Sequence, residues 1–187
     1  FDRTGESCLS KHSSLHGAGL AVTVGGTPSG SAGAGDRAPD SNRKIVAPEE
    51  LPVVSIGQVG DLSLYLADKL DAVADIWRGF QATALHTPFQ DIDWVSAWYQ
   101  VSGARSGYRP LVVLGYEDGY LKVILPLAVV RAGGLERLCW LAQTANDYNA
   151  PLLDTDFAAR CDRDLGADVW ARILDACGSV DLVDFSQ

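Results

Sequence analysis

The chain has 187 residues, 47% of them hydrophobic, with 15 Lys and Arg against 24 Asp and Glu, a formal charge of −9. That length fits one domain, or one domain with a tail, and the apolar fraction excludes a wholly disordered chain. An acidic surface argues against binding nucleic acid or an anionic membrane face, both of which require clustered Lys and Arg. No apolar run approaches the ~20 residues of a membrane-spanning helix. The longest, Val123 to Val130, is interrupted by Pro126. The chain contains no Met and starts at Phe1, and a strand-like run, Val180 to Phe185, stands almost at its end. It therefore reads as a piece of a longer protein.

Residues 1–50 differ in character from the rest. Gly17 to Asp40 is dominated by Gly, Ala and Ser, with no aromatic residue and no period. Such a segment buries too little apolar surface to offset its ordering entropy, which predicts a flexible tail over 1–50. Ala21 to Val24 is too short and too deep in the chain for a secretory signal.

From Leu51 the pattern tightens. Val53 to Ile56, between Pro52 and Gly57, predicts a short strand. Asp61 is placed to cap a helix with a stripe of Leu62, Leu66, Leu70, Val73, Trp77 and Phe80. A second helix follows Pro88, capped by Asp91, with Trp94, Trp98 and Val101 on one face. Leu111 to Tyr116 and Tyr120 to Val130 predict a hairpin across Asp118-Gly119, and Gly133-Gly134 turns the chain into a strand from Leu135 to Ala142. Leu165, Val169, Trp170, Ile173, Leu174 and Cys177 form the stripe of a third helix, and Val180 to Phe185 predicts a last strand. The predicted class is α+β, a mixed α/β domain with a mostly antiparallel sheet flanked by helices. Its predicted order is β-α-α-β-β-β-α-β, and the central hairpins exclude a purely parallel, doubly wound sheet. All five Trp lie within 51–187, enough aromatic bulk to anchor a core there.

The polar residues leave several openings. Cys8, His12 and His16 have a spacing that suits one helix face, but a structural zinc site takes four ligands and no fourth is near. No metal is expected. Cys139, Cys161 and Cys177 lie in apolar or helical contexts without a CxxC, as do reduced, buried thiols of a cytoplasmic protein. His86 has no nucleophile motif beside it, so no triad is expected and the catalytic residues are unknown. Asp154, Asp156, Asp162, Asp164 and Asp168 lack the spacing of a calcium loop and suit a helix start. Trp94 and Trp98 offer rings that stack on a sugar, but at i, i+4 such rings more often belong to a core.

Four segments carry a resemblance. His86 to Trp98 (HTPFQDIDWVSAW) is similar to the "TPFQ…W…AW" entry of the CelD/BcsL-type GNAT acetyltransferases of cellulose and exopolysaccharide synthesis. Ile124 to Leu135 (ILPLAVVRAGGL) resembles their "LPLA…R…GGL" hairpin, and Trp140 to Leu153 (WLAQTANDYNAPLL) their "WLG…DYNAPLL" block. The closing VDLVDFSQ is similar to their "WDLVDL" strand. The match covers about 51–187, in order.

The resemblance implies the N-terminal GNAT-like half of an enzyme that moves an acetyl group from acetyl-CoA to an amine or hydroxyl acceptor, such as a saccharide. The acetyl-CoA site then belongs to a C-terminal half, the missing partner. The usual pyrophosphate signature is Arg or Gln, two residues, Gly, one residue, then Gly or Ala. Gln100–Arg105, Arg131–Glu136 and Arg163–Asp168 each fail at its last position. No cofactor is expected to bind this chain.

In Asn146-Asp147-Tyr148-Asn149 an acid, a phenol and an amide (Asp147, Tyr148 and Asn149) are the candidate acceptor-binding residues, or a contact for the missing half. More often such a loop simply turns the chain, with Asn and Asp satisfying its backbone and the Tyr148 ring packing. An isolated carboxylate such as Asp147 is a poor base for an ammonium group. The alternative to an enzyme is a GNAT-like binding or scaffolding module without turnover.

Overall fold

Apolar alternation and tight two-residue turns build the sheet. The structure, a computed structural model, describes residues 48–186. The Cys8, His12 and His16 set and nearly all of the predicted tail lie outside the described residues, while Pro48–Glu50 form a 3₁₀ turn. The strands are β1 (Val54–Val59), β2 (Leu62–Ala67), β3 (Tyr108–Glu117), β4 (Tyr120–Ala132), β5 (Leu135–Trp140), β6 (Leu152–Leu153) and β7 (Leu182–Asp184). They pair in the order β1-β2-β3-β4-β5-β7, with β6 also on β4. Every pairing is antiparallel except β5 with β7. Asp118-Gly119 joins Glu117 to Tyr120 with φ of 52° and 78°, the left-handed pair that matches the twist of a hairpin.

The helices are α1 (Ala74–Gln81), α2 (Ile92–Trp98), α3 (Thr155–Arg160) and α4 (Arg163–Cys177). The class is mixed α+β with a mainly antiparallel sheet. The order differs from expectation: it runs β-β-α-α-β-β-β-β-α-α-β. Asp61 does not cap a helix. It closes a Gly60-Asp61 turn between Val59 and Leu62, and the long predicted helix divides into strand β2 and helix α1. The reason lies in the spacing. Leu62 and Leu66 are one helical turn apart but also two strand repeats apart, and Leu64 between them fits the strand alone.

Helices cover both faces of the sheet, so its central strands read as unbroken apolar runs. On one face, Trp77, Phe80, Ile92 and Val95 of α1 and α2 pack on Val112, Leu114, Ile124 and Ala128. On the other, Phe157, Val169 and Ile173 of α3 and α4 pack on Leu62, Leu64, Val113, Leu125 and Leu127. The α2 face is rotated from its predicted position. Ile92 and Val95 are its buried residues, while Trp94 and Val101 are exposed. The helix closes on a π turn, Tyr99–Gly103, where Gly103 admits the Trp98 ring. Asp91, Asp154 and Asp162 cap α2, α3 and α4, which gives part of the acidic cluster its place. Cys139 is buried and Cys177 half-buried, but Cys161 is exposed, contrary to expectation, because it follows the end of the short α3. Among the described residues no helix is long and apolar enough to cross a membrane.

Candidate functional site

The second edge of β4 is shared. β5 pairs along Leu127–Ala132 and β6 along Val123–Ile124, and between them the chain leaves the sheet for residues 141–151. Pro126 sits at this junction, where its carbonyl accepts the Leu141 N–H at 2.8 Å. Its missing N–H faces the same way, so the proline removes a ladder bond where the ladder already stops. Ala142, at φ 64°, then turns the chain into a 3₁₀ turn, Gln143–Ala145, that delivers Asn146.

The departing loop docks on the segment ahead of α2. Leu85 and Leu153 exchange backbone hydrogen bonds of 2.7 and 3.1 Å. In the Thr87–Gln90 turn, the buried Gln90 accepts the Thr87 N–H on its side-chain oxygen at 2.6 Å. Its backbone carbonyl accepts Trp77 Nε1–H at 3.0 Å. The Asp91 carboxylate accepts the Asp93 N–H and the Gln81 amide, so the start of α2 is fixed from two sides. Trp94 Nε1 then donates to Asn146 Oδ1 at 2.9 Å. Asn146 Nδ2 donates in turn to Asn149 Oδ1 at 3.0 Å and to the Phe89 carbonyl. The Tyr148 ring lies 6.4 Å from that of Phe89.

The candidate residues therefore separate by role. Asp147 and Tyr148 stand at the surface, Tyr148 61% exposed. Asn149 is 3% exposed, and its side-chain oxygen accepts the Asn146 amide inside the loop. Asn146, outside the predicted set, is the residue that joins loop to helix. Its partners on the α2 side are 52 and 57 residues away, and nothing local in the sequence signals such a pairing. Gln90 Nε2 is buried in the docking turn without a hydrogen-bond partner among the described residues. His86 is exposed, with Nδ1 3.1 Å from the Ala84 carbonyl.

The N-termini of α2, α3 and α4 do not suit the pyrophosphate of acetyl-CoA. That group binds free N–H groups at a helix N-terminus, reached through a Gly-rich loop. At α2, α3 and α4 the Asp93, Phe157 and Leu165 N–H groups donate to Asp91, Asp154 and Asp162, and each of these carboxylates opposes a phosphate. The three near-signatures are misplaced as well. Gln100–Arg105 lies at the end of the α2 extension, Arg131–Glu136 spans the β4–β5 hairpin, and Arg163–Asp168 falls within α4. Among the described residues no three His, Cys, Asp or Glu gather as a metal site. The chain matches no family model, no curated protein and no solved structure.

Proposed function

We propose that this chain is the acceptor-binding, non-catalytic half of a GNAT-type acyltransferase of the CelD/BcsL kind, acting in the cytoplasm on a saccharide acceptor. One observation carries this: two segments that bear the resemblance, 86–98 and 140–153, meet through Trp94 and Asn146 and leave Trp94, Asp147 and Tyr148 on one surface. Exposed aromatic rings stack on the C–H faces of a sugar, and Asp147 accepts its hydroxyl hydrogens. Acetyl-CoA, bound by the second half, would supply the acetyl group. The second reading, a binding or scaffolding module without turnover, draws on the carboxylate-capped helices.

The test is a titration of the chain with cello-oligosaccharides, followed by tryptophan fluorescence and calorimetry. Binding that is lost in Trp94→Ala, weakened in Asp147→Asn and partly kept in Trp94→Phe is the expected result. No saturable signal removes the saccharide assignment. Tight acetyl-CoA binding by this chain removes the non-catalytic one.

A further inference from the structure

A second surface, independent of the acceptor loop, lies where β2 and β3 approach the β3–β4 turn. Ser63 and Tyr65 alternate on β2, and Ser63 stands opposite Tyr116 of β3, so the three side chains share one sheet face. They line a cleft of about 220 Å³, with Glu49 of the 3₁₀ turn and Asp118 of the hairpin turn at its margin. The two tyrosine rings meet edge to face, 5.7 Å between centroids and 89° between planes. Tyr116 is 4% exposed, and its hydroxyl is buried without a hydrogen-bond partner among the described residues. Burial chiefly, then the neighbouring Tyr65 and Glu49, pushes that phenol up to about 12, so it stays a neutral donor.

The charges point the same way. No Lys, Arg or His lines the cleft, and neither Glu49 nor Asp118 has an ion-pair partner among the described residues. Elsewhere Arg78, Arg109, Lys122, Arg137 and Arg160 each meet a carboxylate. Carboxylates beside aromatic faces attract an ammonium group, whose charge is drawn to the ring quadrupole as well. A buried phenol without an acceptor among the described residues calls for an oxygen atom on the ligand. The volume is below that of pockets for drug-sized molecules, which restricts the ligand to a small headgroup. We propose that this cleft binds a small amino alcohol, with Glu49, Asp118 and the tyrosine rings holding its ammonium and Tyr116 donating to its hydroxyl oxygen.

Calorimetric titration of the whole chain with three probes tests the assignment: choline, tetramethylammonium, which lacks the hydroxyl, and 3,3-dimethylbutan-1-ol, which lacks the charge. Choline is expected to bind saturably, and the uncharged analogue about tenfold more weakly. Glu49→Gln and Asp118→Asn are each expected to weaken choline several-fold. Asn tolerates the left-handed backbone at position 118, so the turn survives that change. Tyr116→Phe is expected to erase the advantage of choline over tetramethylammonium, and circular dichroism checks that it folds. No saturable heat with choline, or equal affinity for the charged and uncharged probes, overturns the site. A choline advantage that persists in Tyr116→Phe overturns the role of the phenol.

Discussion

The two faces of the sheet bury different things. Toward α3 and α4 the packed side chains are apolar, and the polar contacts sit at the rim, where Lys122 meets Asp154 and Arg160 meets Glu117. Toward α1 and α2, polar groups enter the interior: Trp77 donates to the Gln90 carbonyl, Asn149 supports the loop, and the Tyr116 hydroxyl is enclosed. Interior polar groups specify one geometry but are costly when unmatched. Both proposed ligand surfaces belong to the polar side. The apolar side is the foundation against which they are held.

Core truncations on each face give the largest effects and the first way to break this contrast. Trp77 and Ile173 are both 0% exposed. Trp77→Ala is expected to lose about 3–5 kcal/mol and Ile173→Ala about 2–5 kcal/mol in urea unfolding. Trp77→Phe separates the faces. It keeps most of the ring volume but strands the Gln90 carbonyl, and a loss of about 1–3 kcal/mol is expected from that alone. If Trp77→Phe is neutral, the hydrogen bond contributes nothing and the faces differ only in appearance.

Next in size is the close approach that ends the α2 extension. A Cβ on Gly103 falls 2.6 Å from Trp98 Cζ3 and 2.9 Å from Tyr99 Cδ2. Gly103→Ala is expected to cost about 1–3 kcal/mol through overpacking. A shift in near-ultraviolet circular dichroism, reporting a displaced Trp98, is expected with it. Asn146→Ala removes the Trp94 acceptor and both donor bonds of the loop. The expected loss is about 1–3 kcal/mol. Iodide quenching of Trp94 fluorescence should rise, which marks loosening of the loop rather than of the core.

How far the sequence shows this contrast depends on the range of the interaction. The β3–β4 hairpin is legible because its signals are local: apolar runs on both sides of Asp118-Gly119, with a second two-residue turn at Gly133-Gly134. The α4 stripe is legible by its period, although Leu174 is 39% exposed. Residues 61–80 mislead because Leu62, Leu66 and Leu70 satisfy two periods at once. There the Gly60-Asp61 turn and Leu64 hold the deciding information. The parallel pairing of β7 with β5 is set across about 45 residues and leaves no local mark. The same holds for the candidate site: Asp147 and Tyr148 stand out by composition, whereas Asn146 gains its role from partners distant in sequence.

The smallest effect tests the rim of the apolar face. Lys122 and Asp154 are largely enclosed, 3.3 Å apart, and Asp154 Oδ1 also accepts the Phe157 N–H. Burial by itself raises the Asp154 carboxyl, but the Phe157 N–H and the Lys122 ammonium outweigh it and hold the group below its ordinary value. A carboxyl depressed in the folded state contributes stability above its unfolded pKa of about 4 and loses it as pH falls through the lower folded value. Asp154→Asn keeps a competent helix cap but ends the ion pair. At neutral pH a loss of about 1 kcal/mol is expected, and below pH ~4 the gap between variant and parent should close. Urea midpoints from pH 7 down to about 3 measure both. A gap that stays constant with pH would show that Asp154 acts through packing and that its charge is immaterial. The rim of the apolar face would then gain nothing from the Lys122–Asp154 pair.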